Sequence, residues 1–199
     1  MYRCVATSVE RFIQQLAVSY IGNGYWFWVA GEIPEGKEPE RTDRKIVDQY
    51  GIGISKWTRA REKKAGMANL HYLRHEHFFV IIATSGRHEF FEAEGNRIAD
   101  VRRRPIYFHG HSIGCRREWG RGRLHASVRI ERKRYLEVKA YVEDLASHRS
   151  TGRLVAEFQA LPFERYAPVR NQLWMILRAV NRVRKMAGWH GSRLCGHDP

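Results

Sequence analysis

The stretch LHYLRHEHFFVIIAT, residues 70–84, decides the fold class. Its second half, residues 78–82, is an unbroken aromatic and β-branched run, the pattern of a strand buried in a sheet. Leu70 to Arg74 is a second extended run, and the charged connection His75, Glu76 and His77 joins the two as a β-hairpin.

Working outward toward the N-terminus, Tyr25 to Val29 reads as another strand. Its alternate aromatics suit either a core strand or a stacking platform like those of single-strand RNA-binding sheets; core is the preferred reading, because large aromatics dominate core burial. Before it, Thr7 or Ser8 caps a helix carrying Val9, Phe12, Ile13, Leu16 and Tyr20 at helical spacing. After it, Glu32 to Arg41 is a loop rich in Pro and Gly, and helices follow over Thr42–Tyr50 and Ser55–Gly66. Toward the C-terminus come a helical turn near His88–Glu94, a strand run from Ile106 to Cys115, a Gly-rich basic turn at Trp119–Arg123 and a strand at Leu124–Ile130. Three helices close the chain, at Glu131–Ser147, Thr151–Leu161 and Pro168–Ala187, the last with proline in its first turn.

This order predicts an α+β fold: an antiparallel or mixed sheet of about five strands with helices on one face, followed by a C-terminal helical segment. A split βαββαβ arrangement is one possible core. The expected organisation is a core domain over 1–130, a helical segment over 131–188 packed on it, and a flexible tail over 189–199.

Among the 199 residues, 43% are hydrophobic and 12% aromatic, enough for a real core and unlike a disordered polycation. The net charge is +14, carried by 27 Arg against 8 Lys. Arginine binds phosphate through a bidentate fork and stacks on bases, so a polyanionic partner is the first expectation. Codon bias toward Arg is the bland alternative. Cys4, Cys115 and Cys195 follow no paired spacing, which predicts a reducing compartment and no disulfides. With no signal-peptide pattern and no long apolar run, the sequence predicts a cytoplasmic protein without membrane partners.

The basic residues cluster. Arg102, Arg103 and Arg104 precede a strand, and Arg116, Arg117, Arg121 and Arg123 surround the Gly-rich turn. Arg132, Lys133 and Arg134 open a helix, and Lys56 to Lys64 holds a further group. On the last helix Val169, Leu173, Ile176, Val180 and Val183 define one face; Arg178, Arg182 and Lys185 lie opposite, with Trp174 at the margin, placed to stack on a base. These positions are the expected phosphate contacts.

His109 and His111 place two imidazoles on one face of the expected strand, because side chains alternate with period two. The spacing resembles the metal site of HUH single-strand endonucleases, and that resemblance implies a bound divalent metal ion and a tyrosine nucleophile on a later helix, here Tyr135 or Tyr141. His75 and His77 repeat the spacing in the expected turn, and both pairs depart from the family, which carries a hydrophobic residue where this chain has Gly110 or Glu76. A zinc alternative joins His109, His111 and Cys115 with Cys195 or His197. His71 and His125 read as packing residues, and Asp43 as an ordinary helix-surface residue. Phosphate loops, dinucleotide fingerprints and serine nucleophile elbows are absent from the sequence.

The leading expectation is therefore a DNA- or RNA-binding protein of the accessory or DNA-processing kind carried by mobile elements, needing no cofactor. A metal-dependent single-strand endonuclease and a basic module for an acidic protein partner are the alternatives.

Overall fold

The computed structural model describes residues 2–117, 122, 124–164 and 166–189. In chain order the elements are α1 (Val9–Gln14), β1 (Phe27–Glu32), α2 (Pro39–Gln49), α3 (Lys56–Lys64), β2 (Leu70–His75), β3 (Phe78–Ala83) and α4 (Glu89–Glu94). Then follow β4 (Ala99–Asp100), β5 (Ile106–Phe108), β6 (His111–Arg117), β7 (Leu124–Ile130), α5 (Arg132–His148), α6 (Thr151–Gln159) and α7 (Ala167–Met186). The fold is α+β. Its strands make two sheets, one of four strands in the order β2-β3-β1-β4 and one of three in the order β5-β6-β7. No helix among the described residues is long and apolar enough to cross a membrane.

The chain divides into two compact units, residues 1–106 with 113–127 and residues 107–112 with 128–199. In the first unit, β2 and β3 form the hairpin anticipated from residues 70–84, with His75 opposite Phe78 across a turn of two residues. β1 pairs antiparallel with the other edge of β3, which makes β3 a central strand, as its apolar run requires. Gly31 faces Phe79 in that register; a Cβ on Gly31 would lie 2.7 Å from the Phe79 ring, so the small residue lets the ring lie across the strand. Val29, Tyr50, Ile52, Leu70, Tyr72, Ile81 and Phe90 build the core against this sheet.

Local signals set the helix starts. The Ser8 and Ser55 hydroxyls accept hydrogen bonds from the backbone N–H groups of Arg11 and Thr58, respectively. α2 begins at Pro39, earlier than the loop reading of 32–41 expects, because a proline at the first helical position loses no hydrogen bond. The first helix does not continue regularly to Tyr20: after Gln14 the backbone widens into a π-helical stretch over Gln15–Tyr20 and then leaves at Gly24, φ 90°.

Asp43 corrects a sequence expectation. It is 6% exposed instead of lying on the helix surface. Its carboxylate accepts from Arg74 Nε at 2.8 Å, Arg74 Nη2 at 2.9 Å and the Tyr72 hydroxyl at 2.6 Å. Arg74 also donates to the Glu76 carbonyl at 2.7 Å, inside the hairpin turn. On its backbone, Arg74 N–H donates to Cys4 O and Arg74 O accepts from Ala6 N–H, which lays the N-terminal segment alongside β2.

In the second unit Val138, Val142, Ala146, Leu154, Val169, Ile176 and Val180 are buried and supply the helical core. Ser150 caps α6 through the Arg153 N–H. Gln172 on α7 clasps Ile130, accepting from its N–H at 2.8 Å and donating to its carbonyl at 3.2 Å. Arg184 is 1% exposed. It donates to the Arg149 carbonyl at 2.8 Å and the Thr151 hydroxyl at 3.0 Å, and its guanidinium stacks on Trp189 at 4.4 Å. An arginine therefore satisfies the carbonyl end of α5 and fixes the corner into α6.

Removing one partner of a buried ion pair leaves the other charge uncompensated. Asp43→Ala is expected to destabilise the protein by about 3 kcal/mol or more, read as a lowered urea midpoint with an unchanged slope.

Candidate nucleic-acid interface

In the first unit two of the basic clusters meet. Val101 N–H donates to the Trp26 carbonyl, and Arg103 and Arg104 N–H groups both donate to Asp100 O, so residues 100–104 form a tight turn at the end of β4. Cys115 N–H donates to the Val101 carbonyl at 3.3 Å, which brings β6 against the same turn. The backbones that carry Arg102, Arg103 and Arg104 and Arg116 and Arg117 are thereby brought close together, and all five residues are exposed.

They are not equivalent. Arg102 grips Asp100 through Nε at 2.9 Å and Nη2 at 2.6 Å, and its guanidinium lies 4.3 Å from the Trp26 ring centroid. The same hydrogen bonds hold the Asp100 carboxyl below the ordinary aspartate range. Arg102 thus stiffens the turn and covers Trp26. The Trp28 indole N–H donates to the Arg104 carbonyl at 3.1 Å, and the Arg104 guanidinium sits 5.9 Å from that ring. β1 is accordingly a core strand whose aromatics also carry arginines on their outer faces. Asp100 and Trp26 escaped the sequence reading; the acid two residues before Arg102 was the available signal. Arg121 and Arg123, with most of the Gly-rich turn, lie outside the described residues, as do Cys195 and His197.

In the second unit Arg132, Lys133 and Arg134 are exposed on the first turn of α5, with Arg134 3.3 Å from Glu137. Arg178, Arg182 and Lys185 are exposed on α7, and Arg178 stacks on Trp174 at 3.9 Å. Cations at a helix N-terminus gain nothing from the helix dipole, so the α5 turn is a locally positive spot that attracts anions.

The histidine pair is arranged differently from the expected strand face. His109 (φ 44°) and Gly110 (φ 72°) form the two-residue turn from β5 to β6, with the two positive φ values of a type I′ hairpin. His109 is exposed on the turn while His111 is fully buried at the start of β6. His111 Nδ1 donates to the His109 carbonyl at 3.0 Å, and Nε2 accepts from the Glu164 N–H at 3.2 Å. Both ring nitrogens are engaged, the ring is edge-on to Phe163, and burial lowers its pKa. A neutral imidazole with its lone pair already accepting is a structural group, and it offers no nitrogen to a metal. Tyr135 is half-buried. Tyr141 is exposed and donates to Glu157 at 3.1 Å, a bond that raises its pKa, opposite to the shift that activates a nucleophile. The Cys115 thiol is pushed up by burial.

Elsewhere in the first unit, His71 stacks on Tyr20 at 4.4 Å, with the Tyr2 hydroxyl 2.9 Å from its Nδ1. Burial, followed by the nearby Arg59 charge, lowers its pKa to about 3. Arg59 donates to the Leu70 carbonyl at 2.6 Å and to the Ile52 carbonyl. It lines a cavity of about 250 Å³ with Tyr50, Ile52, Glu62, Asn69 and Glu89. Arg59 therefore holds the fold together and is withdrawn from the basic cluster at 56–64.

Comparison with protein-family models, curated proteins and solved structures returned no match.

The lowered pKa of His71 has a signed consequence. Between its ordinary value and about 3 the unfolded chain takes up a proton that the folded protein refuses, so this contribution to stability is complete above pH 6.5 and is lost as pH falls toward 3. In an NMR titration of the folded protein, the His71 ring signal is expected to stay unshifted from pH 7.5 to 5; a midpoint near the ordinary histidine value contradicts the buried neutral state.

Proposed function

We propose that this protein binds nucleic acid through backbone phosphates, with the arginine surface of residues 102–117 as a principal contact. The observation that supports the reading is the hydrogen bond from Cys115 N–H to Val101 O, which brings together the backbone segments that carry two arginine clusters separated in sequence. Within it Arg102 is committed to Asp100 and Trp26, and acts as the brace that presents its neighbours. Arg103, Arg104, Arg116 and Arg117 are the phosphate-binding side chains. Guanidinium forks suit this task because each offers two parallel donors to one phosphate.

Sequence readout requires side chains that reach base edges from a groove-fitting element. The arginines of this patch stand on a turn and on the end of a strand, and a phosphate-directed mode fits that placement. Basic residues on α5 and α7 in the second unit add to the attraction for a polyanion. In this reading affinity comes from counterion release and falls steeply with salt.

Binding of a labelled oligonucleotide by fluorescence anisotropy, across a salt series, tests the reading. A log–log slope of several units is expected. Joint replacement of Arg103, Arg104, Arg116 and Arg117 by Ala is expected to reduce the slope by roughly one for each phosphate that is no longer neutralised. An affinity that does not change with salt, or a slope untouched by the fourfold variant, contradicts the proposal. Equal competition by polyglutamate would favour an acidic protein partner instead.

A further inference from the structure

α7 runs for 20 residues without an Asp or Glu. Of its five cations Arg184 is buried and engaged within its unit, while Arg170, Arg178, Arg182 and Lys185 are exposed. Residues 170, 174, 178 and 182 are four apart, so Arg170, Trp174, Arg178 and Arg182 follow one ridge of the helix, each about 6 Å along the axis from the last. Trp174 stands inside this ridge and is 50% exposed. The Arg178 guanidinium lies 3.9 Å from its ring centroid and fixes the indole by a cation–π contact.

A half-exposed tryptophan, held by one arginine and flanked by two more on a stripe without acids, calls for a partner that is both anionic and flat. We propose that this ridge is a site for single-stranded nucleic acid, in which an unstacked base lies on Trp174 and the adjoining phosphates pair with Arg170, Arg178 and Arg182. This rests on the phosphate-binding reading above and narrows it to the single strand. Duplex bases are stacked on one another and offer no free face, whereas every base of a single strand does. An anionic membrane is the other partner with matching charge. A helix that enters a lipid surface does so with its apolar stripe, and here that stripe, Val169, Ile176 and Val180, is fully buried in the protein.

The test compares oligothymidylate with a duplex of the same length, using the full chain and anisotropy at low salt and across a salt series. Trp174→Leu keeps an apolar side chain of moderate size but has no aromatic face, and Trp174→Tyr restores one. The leucine variant is expected to weaken single-strand binding by about 5- to 150-fold while leaving duplex binding unchanged. The tyrosine variant should recover most of the loss. Equal weakening on both substrates, no weakening on either, or the same weakening in the tyrosine variant overturns the stacking site. So does stronger capture by vesicles containing anionic lipid than by the oligonucleotide. A wild-type protein that binds neither oligonucleotide in a salt-dependent way would defeat the phosphate reading itself. Salt-dependent binding indifferent to Trp174 would defeat the single-strand inference alone.

Discussion

The first unit depends on a buried charge that has to be compensated. Arg74 sits near the turn end of the hairpin strand β2, 5% exposed, where an isolated guanidinium would be untenable. Asp43 and, at 3.4 Å, Glu40 from α2 and the Glu76 carbonyl of the hairpin turn answer the guanidinium; Tyr72 shares the Asp43 carboxylate, and the Cys4–Ala6 segment pairs with the Arg74 backbone. A buried ion pair adds little net stability over a well-packed apolar group, yet losing either member is costly. Its effect is to fix where α2 and the N-terminal segment meet the sheet. The same segment carries Tyr2 to His71, so the aromatic cluster beside β2 inherits its position from Arg74.

The excess of arginine has two uses in this protein, and the partner that each guanidinium finds separates them. Arg59, Arg74 and Arg184 end on backbone carbonyls, and Arg102 ends on Asp100 and Trp26. Guanidinium suits both roles because it is planar, always charged and carries five donors in a fixed fork. The braced arginines hold loops and helix ends still. Those left at the surface are, in the first unit, Arg103, Arg104, Arg116 and Arg117 and, in the second, Arg170, Arg178 and Arg182. Net charge alone treats the two groups alike.

The histidines are separated by backbone conformation in a comparable way. A His-x-His spacing puts two rings on one face only while the backbone stays extended. Here Gly110 accepts a positive φ and His109 follows it into the left-handed region, so the chain reverses between the two rings. One imidazole is left on the turn and the other is enclosed by Glu164 N–H and Phe163.

By itself, the sequence determined the features that are local. The hairpin at 70–84, the helix starts at Ser8 and Ser55, the strand at 124–130 and the three closing helices follow from periodicity, capping chemistry and side-chain shape. The α+β class follows from their order. The clustering of arginine was legible too, and so was the amphipathic pattern of α7. The tertiary structure decided which cations are held within the fold, because the partners of Arg74 and Arg184 lie on other helices or are backbone atoms that composition does not reveal. It also decided that the strands form two sheets, since pairing between distant segments is set by packing, and packing has no counterpart in the order of residues. The charge on this chain was written in its sequence; the surface that presents it was made by what the fold buries.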